Sequence, residues 1–123
     1  MSPELWGFEV MPESSIMTAL MGVIQERKAR PPGEPSYVVE LFRGGVARIG
    51  AKIVEEAAEV VEAGDEPGEA GRAHLVKEVA DLVFHAMVLL GYRDLDWEDV
   101  EAELARRFGI SGITEKQSRN QPP

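Results

Sequence analysis

The spacing of apolar residues along this chain restricts it to an all-helical fold. In the longer segments, such as residues 16–24, apolar residues recur every three or four positions, which is the repeat of an α-helix. Proline and glycine, which do not continue a helix easily, separate these segments. The β-branched pair Val38-Val39 is too short to predict a strand. We therefore expect an all-α fold, a bundle of four to five helices.

Capping and breaking residues set the bounds of the predicted helices. We expect a first helix that begins after Ser14 or Ser15 and ends before Pro31, and further helices over residues 36–42, 46–63, 73–90 and 96–108. The expected N-terminal capping residues are Ser14 or Ser15, Ser36 and Asp96. The expected stops are Gly44-Gly45, Gly64 as a left-handed cap, Gly91 and Gly109.

The same periodicity predicts which residues face the core. On the first helix they are Ile16, Met17, Leu20, Val23 and Ile24. On the long helix they are Ile49, Ile53, Ala57, Val60 and Val61. On the helix over 73–90 they are Leu75, Val79, Leu82, Val83, Ala86 and Leu90. On the last helix they are Trp97, Val100 and Leu104.

Length and charge exclude several classes of protein. A chain of 123 residues fits one domain, which we place at 13–123, with an N-terminal extension at 1–12 and a C-terminal tail at 110–123. The 13 basic residues against 22 acidic ones argue against a nucleic-acid-coating protein. The absence of cysteine excludes disulfides and thiolate sites. The longest apolar run, 86–90, is too short for a membrane span, and the acidic N-terminus does not resemble a signal peptide, so we expect a cytoplasmic protein.

Two acidic clusters are the most informative feature for function. Glu55, Glu56 and Glu59 form E-E-x-x-E, and Glu78 and Asp81 form E-x-x-D on the next predicted helix. Residues three or four apart lie on one side of a helix, and the short linker between the two helices predicts that they pack antiparallel. Glu56 and Glu59 should then lie at a similar height to the second acidic pair.

The position of these acids next to apolar residues favours a metal site. Carboxylates crowded beside a core repel one another, so either some are protonated or a cation lies among them. Oxygen ligands without histidine or cysteine suit Mg²⁺, or Mn²⁺ as a second choice. The alternative is that the acids form an ordinary solvated helix face, as paired glutamates usually do.

At this point the sequence resembles a known family. The stretches KIVEEAAEV at 52–60 and EVADLVFH at 78–85 are similar to the MazG-like all-α nucleoside triphosphate pyrophosphohydrolases. Ser36-Tyr37 and the tail SGITEK at 111–116 narrow the resemblance to the phosphoribosyl-ATP pyrophosphohydrolases of histidine biosynthesis. The similarity extends over about residues 20–119. Val38 departs from it, since the family commonly has threonine there.

The resemblance implies a reaction and roles for named residues. The reaction is the Mg²⁺-dependent hydrolysis of phosphoribosyl-ATP to phosphoribosyl-AMP and pyrophosphate, the second step of histidine biosynthesis. It needs mainly positioning and charge stabilisation. The implied metal ligands are Glu56, Glu59, Glu78 and Asp81. Glu55 and Glu56 are the implied catalytic residues, with Glu55 either as the general base or as a residue that supports the metal ligands. The implied substrate-binding residues are Lys52, His85, Arg107, Ser111, Lys116 and Arg119.

Several of these residues have ordinary structural explanations. Lys52 fits an ion pair with Glu56 as well as it fits a phosphate contact. His85 fits a hydrogen-bonded histidine at the core edge, and His74 is expected on the surface.

Partners and competing functions follow from the same sequence features. Exposed helix stripes and the resemblance predict a homodimer or homotetramer, functionally linked to a separate phosphoribosyl-AMP cyclohydrolase. We expect neither nucleic acid nor membrane as a partner. Two other functions stay open: a house-cleaning nucleoside triphosphate pyrophosphohydrolase, and a non-enzymatic helical interaction module.

Overall fold

The described part of the chain consists of α-helices packed around a small core. The computed structural model describes residues 11–29 and 36–109. Within these residues it contains four helices: α1 (Met11–Lys28), α2 (Tyr37–Gly64), α3 (Gly68–Tyr92) and α4 (Trp97–Phe108). The described part of the chain contains no strand. The predicted all-α fold is confirmed.

Helices α2 and α3 form the main body of the bundle. Among the described helices they share the most extensive packing contact, and only residues 65–67 connect them, so they run antiparallel. Helix α1 packs on both, and α4 packs on α1. The buried apolar residues of the core come from the first three helices: Met21, Ile24, Val38, Leu41, Ile49, Met87 and Val88.

Two of the predicted capping residues begin their helices. The Ser36 hydroxyl accepts a hydrogen bond from the Val39 backbone N–H, and Asp96 forms a capping box with Asp99. The expected interruption at Gly44-Gly45 is present as a kink within α2, where Gly45 has a φ of 68° and a ψ of −158°. This conformation is open essentially only to glycine. Gly109 also has a positive φ, 83°, and ends α4 as predicted.

Other predicted boundaries are wrong. Helix α1 begins at Met11, so Ser14 and Ser15 lie inside it and do not cap it. Gly64 is the last residue of α2, and the residue after it, Asp65, caps the helix in the right-handed conformation. Helix α3 begins at Gly68 and not near Ala73, because its first turn has no apolar stripe to reveal it.

Gly91 lies inside α3 and does not end it. The residue is buried, and a Cβ placed there would lie 3.0 Å from the Cγ2 of Ile24 on α1. Glycine at this position therefore allows close helix packing and is not a helix stop. The chain leaves the helix two residues later, at Arg93.

The faces of α2 and α3 that are buried differ from the predicted ones. Ala57 and Val61 of α2, predicted to face inward, are exposed, and so is Val79 of α3. The positions that turn inward instead include Glu56 and Glu78. The apolar pattern misplaced these faces because two acids occupy core-facing positions.

The outer helices show similar corrections. On α1, Ile16 and Val23 are exposed, whereas Met21 is fully buried. On α4, Leu104 is half exposed, while Trp97 packs against the core.

Some predictions concern residues outside the described ranges. Residues 1–10 of the predicted extension and residues 110–123 of the tail are among them, so the predicted domain division stays a prediction. Within the described residues, no helix is both long enough and apolar enough to cross a membrane.

Candidate functional site

Three of the predicted metal ligands come together between α2 and α3. Glu56 and Glu59 lie one turn apart on α2, and Glu78 faces them from α3. One carboxylate oxygen from each residue lies within 4.8 Å of those of the other two. We call these three residues the carboxylate cluster. Its formation depends on the antiparallel packing that the sequence predicted.

Two members of the carboxylate cluster are buried. Glu56 is 7% exposed and Glu78 is 3% exposed. Among the described residues, Glu56 Oε1 and Glu78 Oε1 have no hydrogen-bond partner, and each exposes less than 1 Å² to solvent. A buried charged oxygen without a partner is costly. The geometry therefore differs from that of a solvated acidic helix face.

Burial and mutual repulsion change the protonation of the carboxylate cluster. Burial, and then hydrogen bonding with Glu78, raise the pKa of Glu56 from 4.5 to about 7. Hydrogen bonding with Glu78, and then the charge of Glu78, raise the pKa of Glu59. Burial alone would raise the pKa of Glu78, but hydrogen bonds from Glu56 and Glu59 lower it. The shifts therefore favour the protonated form of Glu56 and Glu59 on α2 and the ionised form of Glu78 on α3.

The structure places Asp81 and Glu55 beside the carboxylate cluster and not within it. Asp81 Oδ2 lies 3.5 Å from Lys77 Nζ, and its side chain is 41% exposed. Glu55 is half exposed and pairs with Lys52, whose Nζ lies 3.4 Å from Glu55 Oε1. Lys52 thus pairs with the residue three positions on, and the ion pair expected with Glu56 is not the one observed. The roles of Asp81 as a ligand and of Glu55 as a base stay predictions.

Sequence reasoning missed His74, which contacts the carboxylate cluster. Its Nδ1 lies 2.9 Å from Glu66 Oε1 and its Nε2 lies 3.1 Å from Glu78 Oε2. The hydrogen bond with Glu66 raises the pKa of His74, although partial burial opposes it. The four-residue spacing between His74 and Glu78 was the available signal, because such residues are neighbours on one helix face.

His85 is held by protein groups at both ring nitrogens. Its Nδ1 lies 2.9 Å from the Asp81 carbonyl oxygen, and its Nε2 lies 2.8 Å from the Tyr37 hydroxyl. The carbonyl can only accept, so Nδ1 donates to it, and in the neutral ring Nε2 then accepts from the Tyr37 hydroxyl. This is the hydrogen-bonded core-edge histidine that the sequence also allowed, and a substrate contact by His85 stays a prediction.

The remaining predicted substrate-binding residues lie on α4 or beyond the described residues. Arg107 Nε donates to Glu103 Oε2 at 2.8 Å, near the end of α4. Ser111, Lys116 and Arg119 lie outside the described residues.

Comparison with known proteins identifies relatives of this chain. Residues 17–108 match the sequence profile of the family Phosphoribosyl-ATP pyrophosphohydrolase. The chain is 51% identical over 110 residues to a phosphoribosyl-ATP pyrophosphatase of Rhodopirellula baltica, covering 89% of this chain and 91% of the relative. It is 48% identical over 105 residues to the enzyme of that name from Geotalea daltonii, covering 85% and 95%. It is 46% identical over 107 residues to that of Neisseria meningitidis serogroup C, covering 87% and 96%.

The matched region spans α2, α3 and α4, and with them every residue of the carboxylate cluster. The chain therefore belongs to the phosphoribosyl-ATP pyrophosphohydrolase family.

Proposed function

We propose that this chain hydrolyses phosphoribosyl-ATP to phosphoribosyl-AMP and pyrophosphate with the help of Mg²⁺, as the second step of histidine biosynthesis. Membership of the family and the names of its relatives support the reaction. The observation that supports the metal is the buried carboxylate cluster, in which two oxygens have no partner among the described residues.

The donor set fits a hard divalent cation. Glu56, Glu59 and Glu78 offer only oxygen, which suits Mg²⁺ and, as a second choice, Mn²⁺. A cation there would bind the two unpartnered oxygens and offset the repulsion that raises the pKa of Glu56. When bound, Mg²⁺ would neutralise phosphate charge and help to generate a nucleophilic water.

The residues around the carboxylate cluster suit the handling of a triphosphate. Lys77 contacts Glu78 of the carboxylate cluster, and Lys52 pairs with the neighbouring Glu55, so both can offer positive charge to phosphate oxygens. Glu55 is exposed next to the site and can accept a proton from an attacking water. Asp81 completes the proposed ligand set from the next turn of α3.

An exposed apolar stripe on α2 supports homo-oligomerisation, as a dimer or a tetramer. Every member of the stripe is exposed and lies three or four residues from the next: Ala47, Ala51, Val54, Ala58 and Val61. Val54 is 71% exposed and Val61 is 72% exposed, as is Val76 of α3 at 71%. Such a regular stripe is the pattern by which helices of separate chains pack. Val54→Glu combined with Val61→Glu should give a smaller particle in sedimentation, whereas an unchanged mass would contradict this assembly.

The product links this chain to a further enzyme. Phosphoribosyl-AMP is the substrate of a cyclohydrolase, and we propose that a separate phosphoribosyl-AMP cyclohydrolase acts next in the cytoplasm.

Two other functions receive less support. A helical interaction module would need only a solvated acidic face, but Glu56 and Glu78 are buried. A house-cleaning pyrophosphohydrolase would use the same carboxylate cluster on modified or deoxy nucleoside triphosphates. The family match and the relatives' names favour phosphoribosyl-ATP over such substrates.

Substrate comparison is the experiment that tests the proposal. Pyrophosphate release should be measured with Mg²⁺ on phosphoribosyl-ATP, ATP and dATP at equal concentrations. We expect phosphoribosyl-ATP to be hydrolysed with by far the highest kcat/KM. Equal or greater kcat/KM on plain triphosphates would favour the house-cleaning function, and no pyrophosphate release from any of them would favour the interaction module.

A further inference from the structure

His74 connects the loop after α2 to the buried carboxylate of Glu78. Its Nδ1 lies 2.9 Å from Glu66 Oε1, and its Nε2 lies 3.1 Å from Glu78 Oε2. A ring N–H that faces an ionised carboxylate donates to it, so each of these two contacts can be made by a ring nitrogen of His74. The ring is thereby fixed at two points on different segments of the chain.

The contact with His74 occupies one of the two oxygens of Glu78. The Glu78 side chain is only 4% exposed. Lys77 Nζ also approaches Oε2, at 3.4 Å, but the lysine side chain is 69% exposed and is a weaker restraint. Oε1 remains as the buried oxygen without a partner among the described residues. Since no hydrogen bond from the described residues occupies Oε1, we take it as the Glu78 oxygen that would bind a cation together with Glu56 and Glu59.

The backbone of α3 allows the loop to come close to His74. Gly71 is buried in the first turns of α3, and a Cβ at this position would overlap the backbone carbonyl of Glu66. Glycine therefore permits the loop to lie directly on the helix. This close approach brings the Glu66 side chain to the imidazole one turn further along α3.

We propose that His74 is a positioning residue of the metal site: held by Glu66, it orients the Glu78 carboxylate so that Oε1 is presented to the divalent cation. The inference rests on the proposed metal-dependent function, since it assumes that the carboxylate cluster binds an ion. Groups that orient a ligand in this way commonly change metal affinity by 10- to 100-fold when removed.

Substitutions at His74 can separate its two contacts. The side-chain nitrogen of glutamine reaches about as far as Nε2, so His74→Gln can still donate to Glu78. Asparagine is shorter, and its side-chain nitrogen reaches only the position of Nδ1. His74→Asn therefore keeps the contact with Glu66 and loses the contact with Glu78. His74→Ala loses both. Arg72→Gln is the matched control, because Arg72 lies on the same helix, is 80% exposed and pairs only loosely with Glu69 at 3.9 Å.

The readout is metal binding by the full chain, measured without substrate. Free Mn²⁺ in a titration is followed by electron paramagnetic resonance, with circular dichroism and metal-free melting as folding controls. We expect His74→Ala and His74→Asn to weaken Mn²⁺ binding by about tenfold or more. His74→Gln should retain most of the affinity, and Arg72→Gln all of it. Glu66→Ala should weaken binding in the same direction, because His74 loses its anchor.

Each other outcome has a separate meaning. If wild-type protein binds no Mn²⁺, the proposed metal site is wrong. If wild-type protein binds and His74→Ala binds equally well, only the positioning role is overturned. Tighter binding by His74→Ala would mean that the histidine competes with the metal for Glu78, which also overturns it. If His74→Ala does not fold, the comparison of His74→Gln with His74→Asn decides instead. Equal Mn²⁺ affinities of these two variants would overturn the proposal.

Discussion

Replacing Glu56 with glutamine should stabilise the metal-free protein while removing its function. Glu56 is nearly buried, and one of its oxygens has no partner among the described residues. Glutamine has almost the same shape, has no charge, and can donate a hydrogen bond from its amide to the ionised Glu78. In our account the Glu56 carboxylate destabilises the fold when no metal is bound and is also a metal ligand. Its replacement should therefore raise stability without metal and lower metal binding.

The pKa of Glu56 gives the size and the pH range of the effect. Its pKa rises from 4.5 to about 7 on folding, which corresponds to roughly 3 kcal/mol for ionising the group in the folded chain. Because the folded state binds the proton more tightly, its stability falls as pH rises from about 4.5 through about 7. The neighbouring carboxylates share this repulsion. We therefore expect the free energy of unfolding of Glu56→Gln to exceed that of the wild type by about 1–3 kcal/mol at pH 8. At pH 5 the gain should be small.

Urea denaturation of the metal-free protein between pH 5 and pH 8 measures this effect. The wild-type free energy of unfolding should decrease over that range, and that of Glu56→Gln should decrease less. Glu62→Gln is the control, because Glu62 is an exposed acid on the same helix. Adding Mg²⁺ at pH 8 should stabilise the wild type far more than Glu56→Gln. A Glu56→Gln protein that is less stable than wild type at pH 8 without metal would refute this reasoning.

Three further changes test other parts of the structure. Gly45→Ala should cost about 1–3 kcal/mol of stability in urea, because its φ is 68° and a Cβ would lie 3.2 Å from the Tyr92 hydroxyl; an unchanged midpoint would contradict the kink. Lys28→Met should reduce the free energy of unfolding by about 1 kcal/mol and so lower the melting temperature, because the Lys28 ammonium group donates to three acceptors at and just beyond the end of α3, at 2.8 to 3.0 Å. An unchanged melting temperature would show that these bonds add no stability. Lys116→Ala and Arg119→Ala should each reduce kcat/KM for phosphoribosyl-ATP more than for ATP without altering helical content, and wild-type kinetics on both substrates would exclude a tail that binds phosphate.

The helical architecture could be predicted from the sequence because its signals are local. Apolar periodicity, the caps at Ser36 and Asp96, and the glycines at 45 and 109 each act within a few residues. Their outcome does not depend on distant contacts. The short connection between α2 and α3 also depends on local signals, and it was sufficient to predict that the acidic clusters meet.

The errors in the fold come from residues whose environment is set by packing. Gly91 looks like a helix stop in the sequence, but Ile24 packs against it inside α3. Val61 looks like a core residue, but Glu56 takes the inward position and turns Val61 to the surface. A periodicity argument assigns acids to the outer face, so it fails where a site places them inside.

The site itself was predicted in part. Spacing identified Glu56, Glu59 and Glu78, because residues one turn apart share a face. Spacing could not show that the Oε1 atoms of Glu56 and Glu78 lack a partner, since that depends on three-dimensional burial. The contact between His74 and Glu66 joins residues eight positions apart through a loop, and no local pattern predicts it.

Pyrophosphate release by metal-stripped protein tests the central claim most directly, which is that the carboxylate cluster binds the Mg²⁺ needed for hydrolysis. Chelator-treated wild type should be inactive on phosphoribosyl-ATP and should recover as Mg²⁺ is added in steps. Glu59→Gln and Glu78→Gln should need much higher Mg²⁺ concentrations or should fail to recover, whereas Glu62→Gln should follow the wild type. Full turnover by the stripped wild-type protein without any divalent ion would contradict the account, as would wild-type Mg²⁺ dependence in both cluster variants.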